Sequence, residues 1–330
     1  MRTTLPIPTD SHTCESEPAF AMAQETTLAE DEAAIYDRQL RIWGVETQKR
    51  LSSSRVMLDG HLGSLGAEVA KNLVLAGVGS LHVTRRALDH AQPSTQSFLH
   101  GESDVVDILK AINPLVDVRL VGDDATKTLE QYHVVLLVGR DASQWETMNE
   151  ACRCKNVKFL AAQGRSNCGL FFSDLLTHEF KTERKTTAEV KEEGTTKGIE
   201  SSKVNFKSFA GALSVPLVSF GRRTPPVFYV YRLVAQFEVE RKRKVRIEDY
   251  EELRHLRDSI CSNESTLATK LPDEKIKDYL LTPEEFAPIN AVVGGVLAQE
   301  ALKAISGKGE PLNNFFFYDL DTGEGRVVTA

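Results

Sequence analysis

Cysteines, aromatic residues and long apolar runs are scarce in this chain. It has five cysteines in 330 residues, an odd number, and 7% aromatic residues; the cysteines stand at positions 14, 152, 154, 168 and 261. Number and spacing do not indicate a disulfide framework. Cys152 and Cys154 lack the two-residue gap of a zinc ribbon, and no second Cys or His pair completes such a site. We therefore expect reduced thiols and no bound metal.

Further absences limit the setting and the partners. No apolar run reaches the length that a signal peptide or a membrane span needs, so we expect an intracellular protein and no membrane partner. The formal net charge of −7 argues against a nucleic acid as the main partner, because nucleic acids favour an excess of Lys and Arg. Hydrophobic residues make up 41% of the chain, which fits a folded protein with a sizeable core.

Apolar periodicity predicts a βαβ unit near the start of the ordered chain. After a flexible tail over residues 1–30, apolar residues at helical spacing predict a helix from Glu30 to Leu51. A strand over Arg55–Asp59 and a strand over Ser80–Thr84 enclose a second helix that ends at Gly77. Such a unit requires a parallel sheet.

The rest of the chain extends this pattern into an α/β fold, with a doubly wound, mostly parallel, Rossmann-like sheet and a small inserted helical subdomain. Further strands are predicted near residues 116–121, 133–139, 157–161, 168–173 and 314–320. We divide the chain into a first part of the main domain at 31–180, a charged flexible loop at 181–203, a helical insertion at 204–286 and a return to the main domain at 287–330. The basic run Glu240–Arg246 is either a nuclear-import signal or a solvated helix end.

A glycine-rich turn follows the first strand. Gly60, Gly63 and Gly66 lie where small residues let backbone N–H groups approach a phosphate at a helix N-terminus. The spacing departs from that of a dinucleotide-binding turn, because Leu62 takes the place of the second glycine. We expect this turn to be degenerate and to hold no cofactor.

Two more features weaken a nucleotide site. Thr84, Arg85 and Arg86 follow the second strand, where an acidic residue would hold the ribose. Asp59 ends the first strand, and its charge would repel a phosphate by about 1–4 kcal/mol at short range. The Arg pair leaves one alternative open, an NADP-linked oxidoreductase in which it binds the 2′-phosphate.

Three stretches carry a resemblance to a known family: YDRQLRIWGVETQKR at Tyr36–Arg50, GSLGAEVAKNLVLAGVG at Gly63–Gly79, and AVVGGVLAQEALKAISGKGEPLNNFFFYD at Ala291–Asp319. Together they resemble the ThiF-type adenylation family, which includes bacterial sulfur-carrier activators and the ubiquitin-activating enzymes. Their order looks most like that of the smaller, regulatory subunits that serve SUMO activation.

This resemblance implies a heterodimer of two adenylation-type halves. One half, the larger catalytic subunit, binds ATP and magnesium and adenylates the C-terminus of a ubiquitin-like modifier, here SUMO. The other half is degenerate, and the losses at Leu62 and Asp59 match it, as does the absence of arginine from Asp89–Phe98. The helical insertion is too short for a catalytic cysteine domain, so we expect no thioester cysteine, Cys261 included. Such a protein is expected in the nucleus, with some in the cytoplasm.

Arg38 and Arg41 are the candidate catalytic residues. They fall three residues apart, on one face of the first helix. The resemblance implies that Arg38 reaches the ATP phosphates of the partner subunit, with Arg41 in support. The alternatives are that both arginines only pair with surface carboxylates, which would make the chain a pure scaffold, or that the chain serves a different ubiquitin-like modifier. Gly294 and Gly295 predict close packing of the last long helix, against either the partner or the sheet.

Overall fold

The computed structural model describes residues 30–85, 97–99, 104–165, 167–183, 199–221, 223–262, 265–282 and 286–330. The predicted tail, Cys14, Arg86 and most of Asp89–Phe98 lie outside these ranges. The strands are β1 Arg55–Gly60, β2 Ser80–Thr84, β3 Asp117–Val121, β4 Val134–Val138, β5 Lys158–Gly164, β6 Cys168–Asp174, β7 Thr177–Glu183, β8 Ile199–Asn205, β9 Asn314–Asp319 and β10 Glu324–Val328.

The α-helices in the described ranges are α1 Glu30–Ile35, α2 Asp37–Ser52, α3 Ser64–Ala76, α4 Val105–Ile112, α5 Ala142–Cys154, α6 Phe209–Leu213, α7 Pro226–Arg241, α8 Tyr250–Cys261, α9 Ser265–Ala268, α10 Asp273–Leu281 and α11 Ala287–Ser306. Short 3₁₀ segments occupy Asp123–Gln131, Leu217–Ser219 and Ile247–Asp249. The helices within the described ranges include no candidate for a membrane-spanning segment.

The main sheet has eight strands in the order β10-β9-β6-β5-β4-β1-β2-β3. Strands β3, β2, β1, β4 and β5 are parallel neighbours, whereas β6, β9 and β10 are added in antiparallel fashion. Because β1 lies between β2 and β4, the chain reverses its winding direction at β1, which is the switch point of a doubly wound sheet. The predicted fold class is confirmed.

The βαβ unit β1–α3–β2 forms because each boundary has a local cause. Strand β1 is apolar and buried after Arg55, and α3 turns its apolar residues Val69 and Leu73 onto the sheet, where both are fully buried. Gly77 ends α3 with φ 77°, a left-handed conformation that glycine adopts without steric cost. Strand β2 then runs parallel to β1 from Ser80.

Helices cover both faces of the sheet and define two cores. The first core contains buried residues of α2, α3, α4 and α11, such as Leu51, Leu73, Leu109 and Leu297. The second core lies on the opposite face and is formed by α5 and the inserted helices, with Trp145 and a group of phenylalanines at its centre. The arginine-bearing helix α2 therefore shares its face of the sheet with α3 and α11.

Two buried polar residues tie the inserted helices to the main domain. Glu238 of α7 accepts hydrogen bonds from the backbone amides of Ala142 at 2.8 Å and Val245 at 3.0 Å. Arg165, directly after β5, donates to the carbonyls of Tyr279 at 2.9 Å and Thr282 at 3.2 Å. The insertion is thus fastened to the rest of the chain near its middle and near its carboxyl end.

The prediction of a flexible loop at 181–203 was wrong at its ends. Residues 181–183 belong to β7 and residues 199–203 to β8, and these strands pair as an antiparallel hairpin; residues 184–198 lie outside the described ranges. Strand β7 is anchored on one side, because the amide of Lys181 donates to Gly307 O at 2.8 Å. Lys, Glu and Thr dominate residues 181–203, a composition that is typical of a surface loop. The alternating buried residues of β7, His178 and Phe180, lie just before this segment.

Candidate functional site

At Gly60 the backbone of the glycine-rich turn packs directly against strand β4. Its φ is 112°, and a Cβ there would lie 2.0 Å from the carbonyl oxygen of Val138. The amide of the next residue, His61, donates to the same oxygen at 2.7 Å. Close backbone packing inside the chain therefore accounts for this glycine without any ligand.

The Asp59 carboxylate binds donor groups at the turn that would otherwise be available to a ligand. Its side chain is 1% exposed, and Oδ1 accepts from the amide of Gly60 at 2.7 Å and from the hydroxyl of Thr84 at 2.6 Å. Two departures from a nucleotide-binding pattern, at the ends of β1 and β2, are therefore in contact with each other. The first amide of the turn is bound to the chain's own carboxylate, so the residues present do not fit an incoming phosphate.

Leu62 covers the N-terminal end of α3. Its side chain is 4% exposed and belongs to the first core. Its Cδ1 lies 3.1 Å from the position that a Cβ on Gly66 would take. Ser64, in the first turn of the helix, is held by Asn290 Nδ2 of α11 at 2.6 Å. An apolar side chain and a neighbouring helix thus pack against the first turn of α3, which is the part of a nucleotide-binding helix that phosphate oxygens would approach.

A cleft of about 360 Å³ remains at the carboxyl ends of β1 and β4, lined by Asp59, Arg140 and residues of α5. The Arg140 guanidinium donates to the carbonyl of Gly60 at 3.2 Å. Arg85, at the end of β2, is exposed, and Arg86 lies outside the described ranges. The cleft carries charges of both signs and therefore does not select a phosphate.

The structure places Arg38 and Arg41 on the solvent side of α2. Arg41 pairs with Asp37 at 2.9 Å, and both side chains are largely exposed. Arg38 is exposed, and no residue in the described ranges forms an ion pair with it. The two arginines that the sequence predicted as a pair therefore differ, because only Arg41 pairs with a carboxylate of its own chain.

Arg38 and the glycine-rich turn lie at opposite ends of α3. Gln39, the residue after Arg38, donates to Leu75 O at the carboxyl end of that helix, whereas the turn precedes its first residue. A helix of 13 residues is about 20 Å long. The structure thus does not bring Arg38 to the turn of its own chain.

The residues that hold this arginine helix in place were not predicted from the sequence. Tyr36 is 2% exposed, and its hydroxyl accepts a hydrogen bond from Asn113 Nδ2 at 2.9 Å. Gln48, which is fully buried, donates to Ala76 O at 3.2 Å. A signal was present, because Gln48 lies one helical turn before the buried Leu51 and Asn113 directly follows Ile112, which packs against the first core.

The cysteines are poor candidates for a thioester nucleophile. Burial raises the pKa of Cys152 and of Cys168 to about 12, so both thiols stay protonated at neutral pH. Burial also raises the pKa of Cys261, the one cysteine in the inserted helices. In the described part of the chain, no cluster of three His, Cys, Asp or Glu side chains is arranged to hold a metal ion.

Comparison with known proteins identifies the family. Residues 36–330 match the ThiF family. This chain belongs to the ThiF family. The fold is therefore that of a ThiF-family member, and the resemblance to this family is confirmed.

Several ThiF-family relatives match this chain along nearly their whole length. SUMO-activating enzyme subunit 1A of Arabidopsis thaliana is 34% identical over 318 residues, which cover 90% of this chain and 95% of the relative. SUMO-activating enzyme subunit 1 of Xenopus tropicalis is 34% identical over 342 residues, with coverage of 92% and 97%. The human subunit 1 is 33% identical over 339 residues, with coverage of 91% and 95%.

Proposed function

We propose that this chain is the non-catalytic subunit of a heterodimeric enzyme that activates SUMO. The similarity to subunit 1 of SUMO-activating enzymes over about nine tenths of the chain is the observation that carries the proposal. The turn supports it, because Asp59 and Leu62 occupy the positions that a nucleotide would need. ATP and magnesium are assigned to the larger partner subunit, and no cofactor is assigned to this chain.

An exposed apolar surface supports an obligate partner. Ile42 and Val45 of α2 are 75% and 44% exposed, and Val292 of α11 is 38% exposed. Gly295, one turn further along α11, has no atom within 4 Å of the place of its Cβ, whereas Gly294 packs on α3 next to Glu68. Helices α2 and α11 are in contact. We call the surface that carries these exposed side chains the α2–α11 face, and we assign it to the larger subunit.

Within the heterodimer, Arg38 is assigned to the partner's ATP phosphates. Adenylation joins a carboxylate of the modifier to the α-phosphate and expels pyrophosphate, so negative charge builds up on phosphate oxygens. A guanidinium that is held in place stabilises such charge. Arg38 lies in the first turn of the helix that carries the exposed Ile42 and Val45, which supports a position of its charge beside the proposed interface. Arg41 has a supporting role, because its charge is already paired with Asp37.

Exchange of pyrophosphate into ATP tests the function. The chain alone is expected to show no exchange, and the chain together with its larger partner is expected to exchange pyrophosphate only when SUMO is present. Other ubiquitin-like modifiers are tested in parallel, and faster exchange with one of them would reassign the modifier. Robust exchange by this chain alone would contradict the proposal.

Nuclear localisation is part of the same proposal. In the basic run Glu240–Arg246, Arg243 forms two hydrogen bonds of 2.7 Å with Asp249, and Val245 is buried. An import receptor that binds an extended peptide would have to open this contact. A fluorescent fusion in which Lys242 and Lys244 are both changed to Ala tests whether this run is the import signal. Retention of the variant in the cytoplasm is expected only if an import receptor binds the run itself.

No observation in the described residues favours the oxidoreductase alternative. It requires a phosphate at the N-terminal end of α3, where Leu62 is buried. Titration with NADPH up to millimolar concentration is expected to show no binding.

A further inference from the structure

The carboxyl end of α3 is capped by amide side chains from other parts of the chain. The last carbonyls of a helix have no partners within it. Here each of the last three accepts a hydrogen bond from a side-chain amide: Val74 O from Asn113 Nδ2 at 2.9 Å, Leu75 O from Gln39 Nε2 at 3.0 Å, and Ala76 O from Gln48 Nε2 at 3.2 Å. Two of the three donors belong to α2, so the end of α3 binds the helix that carries Arg38.

Tyr36 adds a fourth contact at the same place. Its ring lies against Gly77, where a Cβ would come within 2.3 Å of the phenolic oxygen. The amide of Asn113 donates both to this oxygen and to Val74 O, at 2.9 Å each. The residue that precedes Asp37 is therefore fixed at the point where α2 begins.

Helix α2 needs such contacts because it is interrupted. Gly44 has φ 81° and ψ 165°, which divides α2 into two segments. Gln39 anchors the first segment and Gln48 the second. The indole Nε1 of Trp43 donates to Gln48 Oε1 at 3.2 Å and so bridges the interruption. Without these bonds the first segment, with Arg38, would be free to turn about Gly44.

We propose that the carboxyl end of α3 is a socket that fixes the direction of Arg38, with Tyr36, Gln39, Gln48 and Asn113 as positioning residues. The inference rests on the proposed role of Arg38 in the partner's site. A guanidinium delivered from another subunit stabilises a transition state only when it is held close to its productive position. The socket provides this hold through the backbone, and it leaves the Arg38 side chain exposed.

Gln39 is the residue at which the socket can be tested with least disturbance. Gln39→Glu keeps the size of the side chain, removes the N–H donor and sets a negative charge beside a helix carboxyl end, where it is repelled. Gln39→Lys keeps an N–H donor and adds a positive charge, which the carboxyl end of a helix favours. Gln236→Glu, at an exposed position of α7, is the matched control.

The first readout is single-turnover adenylation by the heterodimer at saturating ATP. Gln39→Glu is expected to slow the step about three- to tenfold, which is the value of one hydrogen bond, with an unchanged affinity between the subunits. Gln39→Lys and Gln236→Glu are expected to react at nearly the rate of the unaltered enzyme. In an Arg38→Ala background the effect of Gln39→Glu is expected to disappear. If it persists there at full size, the amide acts on something other than Arg38 and the proposal is overturned.

The second readout is amide hydrogen exchange of residues 37–43 in the heterodimer. Gln39→Glu is expected to accelerate exchange in this segment and to leave α3 unchanged. Unchanged exchange in residues 37–43 would overturn the socket. If exchange is faster while Arg38→Ala leaves adenylation unaltered, the socket stands as a structural feature, and the proposed role of Arg38 is the part that fails.

Discussion

The two ends of helix α3 differ in what they contact. At its N-terminal end, Asp59 and Leu62 satisfy or cover the groups that a ThiF-type site would offer to a nucleotide. At its carboxyl end, the last carbonyls hold the helix that presents Arg38 to solvent. One end is closed within the chain and the other supports an outward contact. Under the proposed function, this chain has lost its own nucleotide site and contributes one charge to the site of its partner.

The largest expected effect is on stability at the turn. Gly60→Ala places a Cβ 2.0 Å from Val138 O, at a φ of 112°. We expect a loss of about 4 kcal/mol in the free energy of unfolding, because the backbone of β4 has no room to move. Urea denaturation measures it, with Gly122→Ala, which meets no atom within 4 Å, as the control. Equal stability of the two variants would show that the turn is not closed on β4.

The next effect depends on pH and concerns the insertion. Burial raises the pKa of Glu238 from 4.5 to about 7. Because the folded pKa is the higher one, its stabilising contribution is complete below pH 4.5 and is lost as the pH rises through about 7. A shift of this size corresponds to about 3 kcal/mol. Urea denaturation at several pH values is expected to show this loss in the unaltered chain and not in Glu238→Gln. Parallel pH profiles for the two proteins would contradict the assignment.

Asp59→Ala is expected to lower the stability of the chain without changing the rate of adenylation. The hydroxyl of Thr84 and the amide of Gly60 would both lose their acceptor in a buried place, at a cost of about 2 kcal/mol. Adenylation by the folded heterodimer is expected to stay unchanged, because the proposed function assigns no chemical role to the turn. Asp124→Ala, at an exposed position, serves as the control. A strong loss of adenylation at full heterodimer occupancy would mean that the turn does take part.

The smallest expected effect distinguishes the two glycines of α11. Gly295→Ala is expected to stabilise the isolated chain by about 0.5–1 kcal/mol, because the position is open and alanine favours the helix. It is expected to weaken association with the larger subunit, since it fills space on the α2–α11 face. Gly294→Ala is the comparison, because its Cβ would press on Glu68 and Leu65 and lower stability. If Gly295→Ala leaves the affinity between the subunits unchanged, the interface does not include this part of the α2–α11 face.

The sequence predicted those parts of the fold in which a local signal marks each boundary. Strands β1 and β2 and the end of α3 at Gly77 follow the prediction closely. Strand β10 was not predicted, because four of its five residues are exposed and its pairing depends on β9. The hairpin of β7 and β8 was missed for a similar reason, since its composition is that of a surface loop.

The candidate site was only partly visible in the sequence. Leu62 and Asp59 could be recognised as departures from a pattern, but the contact between Asp59 and Thr84 depends on the pairing of β1 with β2. The caps on α3 join residues as far apart as Val74 and Asn113, a distance along the chain that periodicity does not encode. Arg38 was found through the resemblance, whereas the difference from Arg41 required the ion pair with Asp37.

The most direct measurement is single-turnover adenylation of SUMO by the heterodimer carrying Arg38→Ala, with Arg41→Ala as the matched variant on the same helix. The account predicts a rate about 100-fold lower for Arg38→Ala, a loss typical of one charge-stabilising group, with unchanged subunit affinity and a much smaller loss for Arg41→Ala. A rate for Arg38→Ala equal to that of the unaltered enzyme would contradict the central claim.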